Sequence, residues 1–250
     1  MSDNLQPRGS DESTFAQPLY TPIKRRSFFM YAGATAGATA LVLAGCSKDS
    51  DPVVVNNGIS LGSGDVGVLN YAYALEQLEA AFYAQVKGST VAGFSPAEKA
   101  YFDEVAAHEA IHRDFFKAAI NRDAPGKILQ NLTPNFSGID FNLRLSAAGA
   151  PKLGVLNAAK TFEDLGVAAY NGAGKLLKTP AYLVIAGQIV SVEARHAAYV
   201  RDLLDTTGKA FAGDDQVDAS GLDKAMKPTE VIAAAQAFVT EKLDASTVGV

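Results

Sequence analysis

The chain has 250 residues, and its 22 Lys and Arg side chains against 27 Asp and Glu give a formal net charge of -5. This acidic balance, without a basic stripe to neutralise phosphates, argues against a nucleic-acid-binding protein. A hydrophobic fraction of 48% supplies a core, so the chain is not a disordered tail. No run of about 20 strongly apolar residues is present, which excludes a protein with several membrane spans. The only cysteine, Cys46, rules out an internal disulfide and a thiolate metal cluster.

The N-terminal part of the chain has the composition of an export signal. A basic stretch that contains Arg25 and Arg26 precedes a weakly apolar segment, 30–43, and small residues lead to Cys46. A positive region, an apolar region and small residues before a cleavage point are the parts of such a signal. Arg-Arg-x-Phe before a weakly apolar segment also resembles the twin-arginine export signal. We therefore expect residues 1–45 to be an export signal rather than a buried N-terminal helix.

Cys46 ends a short motif of its own. Leu-Ala-Gly-Cys at 43–46 resembles a bacterial lipobox, in which cleavage precedes the cysteine and its sulfur receives lipid. Such a lipid-bearing residue holds a protein at a membrane without spanning it. The resemblance implies an exported protein of the cell envelope, anchored at Cys46. Residues 46–64, rich in Ser, Gly, Asp and Asn, are predicted to be a flexible tether.

Four helices are predicted within residues 65–206, because seam residues recur three and four apart in each. The second helix begins at a capping box that starts at Ser95, with proline at the first helical position. The connection between the second and third helices, 122–151, is long and rich in Gly, Pro and Asn, whereas the other two are shorter. This pattern predicts an all-α four-helix bundle with one long crossover. Residues 207–250 are predicted to form an acidic loop and a peripheral helix over 228–243.

The four helices consist of a two-helix unit that occurs twice. Leu-Glu-Gln-Leu around Glu76 in the first helix corresponds to Phe-Glu-Asp-Leu around Glu163 in the third, 87 residues later. The second and fourth helices each carry one Glu-x-x-His pair, 84 residues apart: Glu109 with His112, and Glu193 with His196. Each copy of the unit therefore contributes one Glu and then one Glu-x-x-His.

These six side chains occupy seam positions, the helix positions that face the bundle interior. Burying an unpaired carboxylate costs several kcal/mol, and carboxylates that face one another also repel. The four seams contain no Arg or Lys, so divalent cations are the counter-charge that remains. Glu and His three residues apart lie on one helical face and can bind one metal. Carboxylates and imidazoles without thiolate suit iron or manganese, and the sequence therefore predicts a site for two Fe or Mn ions.

One Glu from each of two helices, with Glu-x-x-His from each of the other two, is the ligand set of di-iron bundles. On these residues the chain resembles the ferritin-like superfamily, and within it the exported ferritin-like domains that include desiccation-related proteins. The resemblance covers residues 65–206. It implies the following roles: one metal each for Glu76 and Glu163, bridging of both metals for Glu109 and Glu193, and capping of one metal each for His112 and His196.

Four further residues lie near the predicted ligands. Glu79 is one turn from Glu76, but its counterpart in the second repeat is glycine, so we expect it beside the metals rather than bound to them. Tyr83 and Tyr170 lie two turns from their glutamates and could border the site, although a place in the core is the simpler interpretation. His108 has no counterpart in the fourth helix and is predicted to be a surface or rim histidine.

Two functions fit this sequence. The first is a binuclear metal oxidoreductase that oxidises Fe(II) with dioxygen or peroxide, as a ferroxidase does, or removes peroxide with a manganese pair, as a manganese catalase does. The alternative is a non-catalytic binding or structural protein of the envelope, related to stress or desiccation, in which the metals only stabilise the bundle. The expected partners are metal ions, dioxygen or peroxide, and a membrane reached only through lipid on Cys46. The oligomeric state stays open.

Overall fold

A computed structural model of the protein describes residues 58–205 and 207–250, and four long helices dominate this part of the chain. The helices are α1 (Gly64–Lys87), α2 (Pro96–Asp123), α3 (Val155–Gly174), α4 (Pro180–Leu204) and the short α5 (Pro228–Ala235). Two-residue strands accompany them: β1 (Ile59–Ser60), β2 (Ile139–Asp140), β3 (Leu153–Gly154) and β4 (Leu243–Asp244). This architecture confirms the predicted all-α bundle with one long crossover between α2 and α3.

The start of α2 shows how local sequence fixes a helix boundary. Ser95 Oγ accepts a hydrogen bond from the backbone N–H of Glu98 at 3.2 Å, and Glu98 Oε2 accepts one from the backbone N–H of Ser95 at 2.8 Å. Two of the N–H groups that a helix start leaves unpaired are thereby satisfied. Arg144 of the crossover holds the same carboxylate at 2.6 Å. The predicted capping box therefore forms, and it also joins α2 to the crossover.

Helix α1 packs against α2 and α3, and the crossover lies along it. Asn70 and Gln77 are polar but buried, and buried polar groups need hydrogen-bond partners. Asn70 Nδ2 donates to the carbonyl of Lys127 at 2.9 Å, and its Oδ1 accepts from the N–H of Leu129 at 2.8 Å. Gln77 Oε1 accepts from the N–H of Leu132 at 2.8 Å. These bonds hold the crossover on α1, whose circumference is consequently almost entirely buried.

The packed domain begins before Asp65, earlier than the sequence indicates. The predicted tether extends to residue 64, but residues 58–64 contain β1, which pairs in parallel with β4 so that Ile59 lies opposite Leu243. The backbone N–H of Ile59 donates to the carbonyl of Lys242 at 2.7 Å, and Leu61 is fully buried. Pairing with a strand far along the chain leaves no local signal, so the turn-like composition of this segment is misleading.

The fifth helix is shorter than predicted, because α5 ends at Ala235 rather than reaching residue 243. A 3-10 turn, Gln236–Phe238, follows, and the side chain of Gln236 then satisfies the backbone of the returning chain. Its Nε2 donates to the carbonyl of Glu241 at 2.8 Å, and its Oε1 accepts from the N–H of Leu243 at 3.1 Å. These bonds favour the reversal over a longer helix.

The predicted export signal, 1–45, and Cys46 lie outside the described residues. The bundle predicted for 65–206 corresponds to α1 through α4. Over residues 58–205 and 207–250, none of the helices combines the length and the apolar character that a bilayer span requires.

Candidate metal centre

The six predicted ligands meet in the middle of the bundle. Each of the four long helices contributes to this cluster, in which the carboxylates have no exposed surface and the two imidazoles are 8% and 4% exposed. Its members are Glu76 on α1, Glu109 and His112 on α2, Glu163 on α3, and Glu193 and His196 on α4. We call this set the carboxylate–histidine cluster.

The cluster divides into two overlapping groups. Within each group, one donor atom from every residue lies within 4.8 Å of the donor atoms of the others. The groups are Glu76, Glu109, His112 and Glu193, and Glu109, Glu163, Glu193 and His196. Both contain Glu109 and Glu193, whereas each has its own Glu and its own His. Two cation positions that share two carboxylates are the arrangement that this overlap permits.

In each group the imidazole Nδ1 faces three carboxylates. His112 Nδ1 lies 2.8, 3.3 and 3.6 Å from Glu193 Oε1, Glu109 Oε2 and Glu76 Oε2. His196 Nδ1 lies 3.0, 3.6 and 3.9 Å from Glu109 Oε1, Glu163 Oε2 and Glu193 Oε2. The pseudo-twofold relation of the sequence repeat therefore holds for the side chains as well.

Buried atoms without partners test whether the cluster fits metal ions. Among the described residues, six donor atoms of the cluster make no hydrogen bond: Glu76 Oε2, Glu109 Oε1, Glu163 Oε2, both carboxylate oxygens of Glu193, and His196 Nδ1. Several of these atoms are close together, yet their contacts lack the alignment of hydrogen bonds. Because buried polar atoms are normally paired, six unpaired ones facing a shared interior indicate that the cluster could hold metal ions.

The pKa values show an excess of buried negative charge. Burial raises the pKa of Glu76 to about 7 and that of Glu193 well above its usual range. Burial also acts to raise the pKa of Glu109, but His112 and His196 outweigh it and lower that pKa to about 2. Burial opposes the charging of both imidazoles, yet the surrounding carboxylates raise their pKa values to about 12 for His112 and about 10 for His196. Cations are the charge that this cluster lacks.

Tyr83 and Tyr170 border the cluster and bond to it. The Tyr83 hydroxyl donates to Glu163 Oε1, and the Tyr170 hydroxyl donates to Glu76 Oε1. The tyrosine of each repeat thus orients the carboxylate of the other repeat and leaves Oε2 unpaired. Burial raises the pKa of both phenols well above their usual range, which keeps them protonated as donors.

Glu79 is a fifth buried carboxylate, 4% exposed, that belongs to neither donor group. It occupies space that Gly166 leaves: a Cβ at position 166 would lie 3.0 Å from Glu79 Oε1 and 3.7 Å from Glu193 Oε2. Burial, followed by the charge of Glu193, raises the pKa of Glu79 well above its usual range. The side chain therefore lies beside the cluster in surroundings that disfavour its ionisation.

His108 has a partner that the sequence did not indicate. Its Nδ1 lies 3.0 Å from His196 Nε2, and the two rings stack with centroids 5.2 Å apart. If Nδ1 of His196 binds a metal, its Nε2 carries the proton and donates a hydrogen bond to His108 Nδ1, which fixes the ring orientation. A repeat comparison could not find this contact, because α4 carries Val192 at the equivalent position; the one-turn spacing from His112 is the only signal.

The cluster opens to solvent between α2 and α4. A cleft of about 230 Å³ reaches both imidazoles of the cluster. Its lining consists of His108, Ile111, His112, Val192, Arg195 and His196. On this side the two imidazoles of the cluster border the cleft, whose rim carries His108.

The fold and the cluster define a four-helix bundle that carries a buried carboxylate–histidine site suited to metal ions. The sequence model of one family, described as a ferritin-like domain, matches residues 64–206. The chain therefore belongs to the ferritin-like domain family. Comparison with curated proteins gives no significant match.

Proposed function

We propose that the protein binds two iron or manganese ions in the carboxylate–histidine cluster and oxidises Fe(II) with dioxygen or peroxide. The observation that carries this proposal is the pair of overlapping donor groups, which share Glu109 and Glu193 and contain six buried atoms without hydrogen-bond partners. A bound pair of redox-active ions would supply electrons to the oxidant from two adjacent positions. Family membership supports the location of the site.

The donor set favours iron or manganese over other ions. Four carboxylates and two imidazoles combine hard oxygen ligands with nitrogen, and no thiolate is present. Four ionised carboxylates carry a charge of -4, which two divalent cations neutralise while both imidazoles stay neutral. A neutral loaded site is what a buried position in the bundle requires.

The chain's own residues prepare this site. Tyr83 and Tyr170 hold the terminal carboxylates through their hydroxyl groups, so that each Oε2 faces the interior. With a metal on His196 Nδ1, its Nε2–H would donate a hydrogen bond to His108 Nδ1, 3.0 Å away, and so fix that imidazole. Burial keeps bulk water from the carboxylates, which strengthens their attraction to cations.

Metal analysis tests the proposal. The purified protein, or metal-free protein loaded with Fe(II) without oxygen, should contain close to two ions per chain. Glu109→Ala should lose most of the metal because both positions use Glu109, whereas Asp114→Ala, which removes an exposed carboxylate from the same helix, should keep it. Protein that never takes up iron or manganese would refute the proposal.

Oxidation is tested separately by mixing the Fe(II)-loaded protein with dioxygen or peroxide and following Fe(III) absorbance in a stopped-flow instrument. We expect oxidation to be faster than that of free Fe(II) in the same buffer, and Asp114→Ala to behave as the wild type does. Bound metal that reacts with neither oxidant would instead favour a structural role for the ions.

The proposal extends to cellular location: export through the segment 1–45 and attachment to a membrane through lipid on Cys46. The basic pair Arg25 and Arg26 and the motif at 43–46 support it. Cys46→Ser should move the protein from the membrane fraction to the soluble fraction. Replacing both arginines by lysine should leave uncleaved precursor in the cytoplasm; normal export of that variant would exclude the twin-arginine route.

A further inference from the structure

An apolar cavity lies in the bundle between the carboxylate–histidine cluster and the α3–α4 turn. All four long helices line it, and it has about 20 Å³ of room, enough for roughly one water-sized molecule. Small side chains create this space: Ala72, Ala169, Ala173 and Ala186 are in its wall. Leu177 and Tyr182, both half-buried, lie at the outer end near the turn.

The sequence repeat shows that this space is specific to one end of the bundle. Ala169 corresponds to Phe82 across the 87-residue offset, and Ala186 corresponds to Phe102 across the 84-residue offset. Both phenylalanines are fully or almost fully buried, at 0% and 1% exposure. The Phe82 ring packs 4.9 Å from that of Phe162. Aromatic rings therefore fill the end of the bundle that contains Phe82 and Phe102. At the other end, the corresponding residues Ala169 and Ala186 leave the cavity open.

The inner end of the cavity reaches the residues next to the cluster. Tyr170 is part of the wall, and its hydroxyl donates to Glu76. Leu75, the residue before Glu76, also lines the cavity, as does Phe116, one helical turn beyond His112. The Tyr170 and Phe116 rings, with centroids 6.3 Å apart, form this part of the wall.

The chemistry of the wall selects the occupant. A buried water needs two to four polar partners, and apolar cavities stay dry. Tyr71 and Tyr170 are polar side chains of the wall; the Tyr71 hydroxyl has no hydrogen-bond partner among the described residues, and the Tyr170 hydroxyl is already bonded. A single polar group holds water poorly. A small apolar diatomic molecule needs no hydrogen bond and fits the available room.

We infer that this cavity binds dioxygen and delivers it to the metal centre past Tyr170. The inference rests on the proposed function, in which dioxygen is an oxidant. It separates two routes: dioxygen approaches through the apolar cavity, whereas ions and the polar oxidant peroxide approach through the cleft between α2 and α4. A substitution that fills the cavity should therefore slow the reaction with dioxygen but not the reaction with peroxide.

Xenon tests the binding site without any metal chemistry, because it occupies dry apolar cavities. Crystals of the metal-free protein pressurised with xenon should show a xenon atom between Tyr170 and Ala186. Ala186→Phe, which introduces the residue that the other repeat carries, should abolish that atom. Ala173→Val, which introduces the counterpart of Val86 in the first repeat, is a milder filling in case the larger ring prevents folding. Absence of xenon from the wild-type cavity would overturn the inference.

Delivery is tested with the Fe(II)-loaded protein. Ala186→Phe should lower the second-order rate constant for dioxygen at least about tenfold, while metal content and the rate with peroxide stay unchanged. Ala181→Phe, the same substitution at an exposed position of α4, is the matched control and should react as the wild type does. Equal slowing with both oxidants, or no slowing with dioxygen, would refute delivery through the cavity. A wild type that binds xenon but reacts with neither oxidant would refute the proposed function and the delivery role, and the gas-binding cavity alone would remain.

Discussion

Metal binding, as proposed, should stabilise the bundle strongly, because the carboxylate–histidine cluster concentrates charge in the core. Four carboxylates with no exposed surface face at most two imidazolium cations, which leaves a net charge of -2 if all of them ionise. Folding raises the pKa of Glu76 and Glu193, so protonation of these carboxylates relieves part of the repulsion. Raised carboxyl pKa values lower the free energy of unfolding near neutral pH. Two divalent cations would remove this repulsion.

The expected size follows from binding linkage. A ligand present at 100 times its dissociation constant stabilises the folded state by about 2.7 kcal/mol, so two ions contribute roughly 5 kcal/mol. In a domain of about 200 residues, each kcal/mol moves the melting temperature by about 2–4 °C. We therefore expect Mn²⁺ to raise the melting temperature of the metal-free protein by roughly 10–20 °C.

Circular dichroism melts of the metal-free protein, with and without Mn²⁺, measure this shift. Asp114→Ala should retain the full increase, because its side chain is 63% exposed and lies outside the cluster. Glu109→Ala should melt at nearly the same temperature in both conditions, since both donor groups lose a ligand. If the wild type melts at one temperature whatever the metal concentration, the reasoning about the buried charge is wrong.

Further substitutions test the fold and the edge of the cluster. Arg201→Ala should lower the free energy of unfolding in urea by about 1–3 kcal/mol, because Arg201, with a 4% exposed side chain, pairs with the nearly buried Asp164 at 2.7 Å, while Lys160 at 3.0 Å remains as a second cation for that carboxylate. Asp215, the other partner of Arg201, has a 59% exposed side chain, so Asp215→Asn should lower the free energy of unfolding by less than about 1 kcal/mol. Equal decreases for Arg201→Ala and Asp215→Asn would contradict this account. Ser95→Ala removes the side-chain cap of α2 and should lower the free energy of unfolding by about 0.5–2 kcal/mol in the same assay. An unchanged free energy of unfolding would show that the cap does not stabilise the protein. Glu79→Gln should keep two metal ions per chain, and loss of one ion by elemental analysis would make Glu79 a ligand.

Much of the bundle could be predicted because its signals are local or repeated. The capping box at Ser95 depends on residues three apart, and it forms as the sequence indicates. The repeat placed Glu76 and Glu163 on corresponding helices, and the structure brings them together with the two Glu-x-x-His pairs. Polar residues at seam positions are a strong signal, since burial without a counter-charge is costly.

The rest depended on contacts between distant parts of the chain. The pairing of β1 with β4 involves two-residue strands separated by most of the domain, too short for a hydrophobic pattern. The stacking of His108 on His196 depends on how α2 and α4 approach each other. The exchange of Phe82 for Ala169 was visible in the repeat, but whether alanine leaves a void depends on how far neighbouring helices close over it.

The pairing of β1 with β4 determines how the domain bears a mechanical load. A pull applied to the chain before Ile59 acts along parallel strands, so the bonds from Ile59 to Lys242 and from Leu61 to Asp244 are loaded together in shear. The Thr247 hydroxyl adds a further bond to the carbonyl of Gly62. Force on the proposed lipid attachment at Cys46 would thus pass into the C-terminal segment before it could unwind α1. The C-terminal segment would thereby protect α1, the helix that carries Glu76, from unwinding under force.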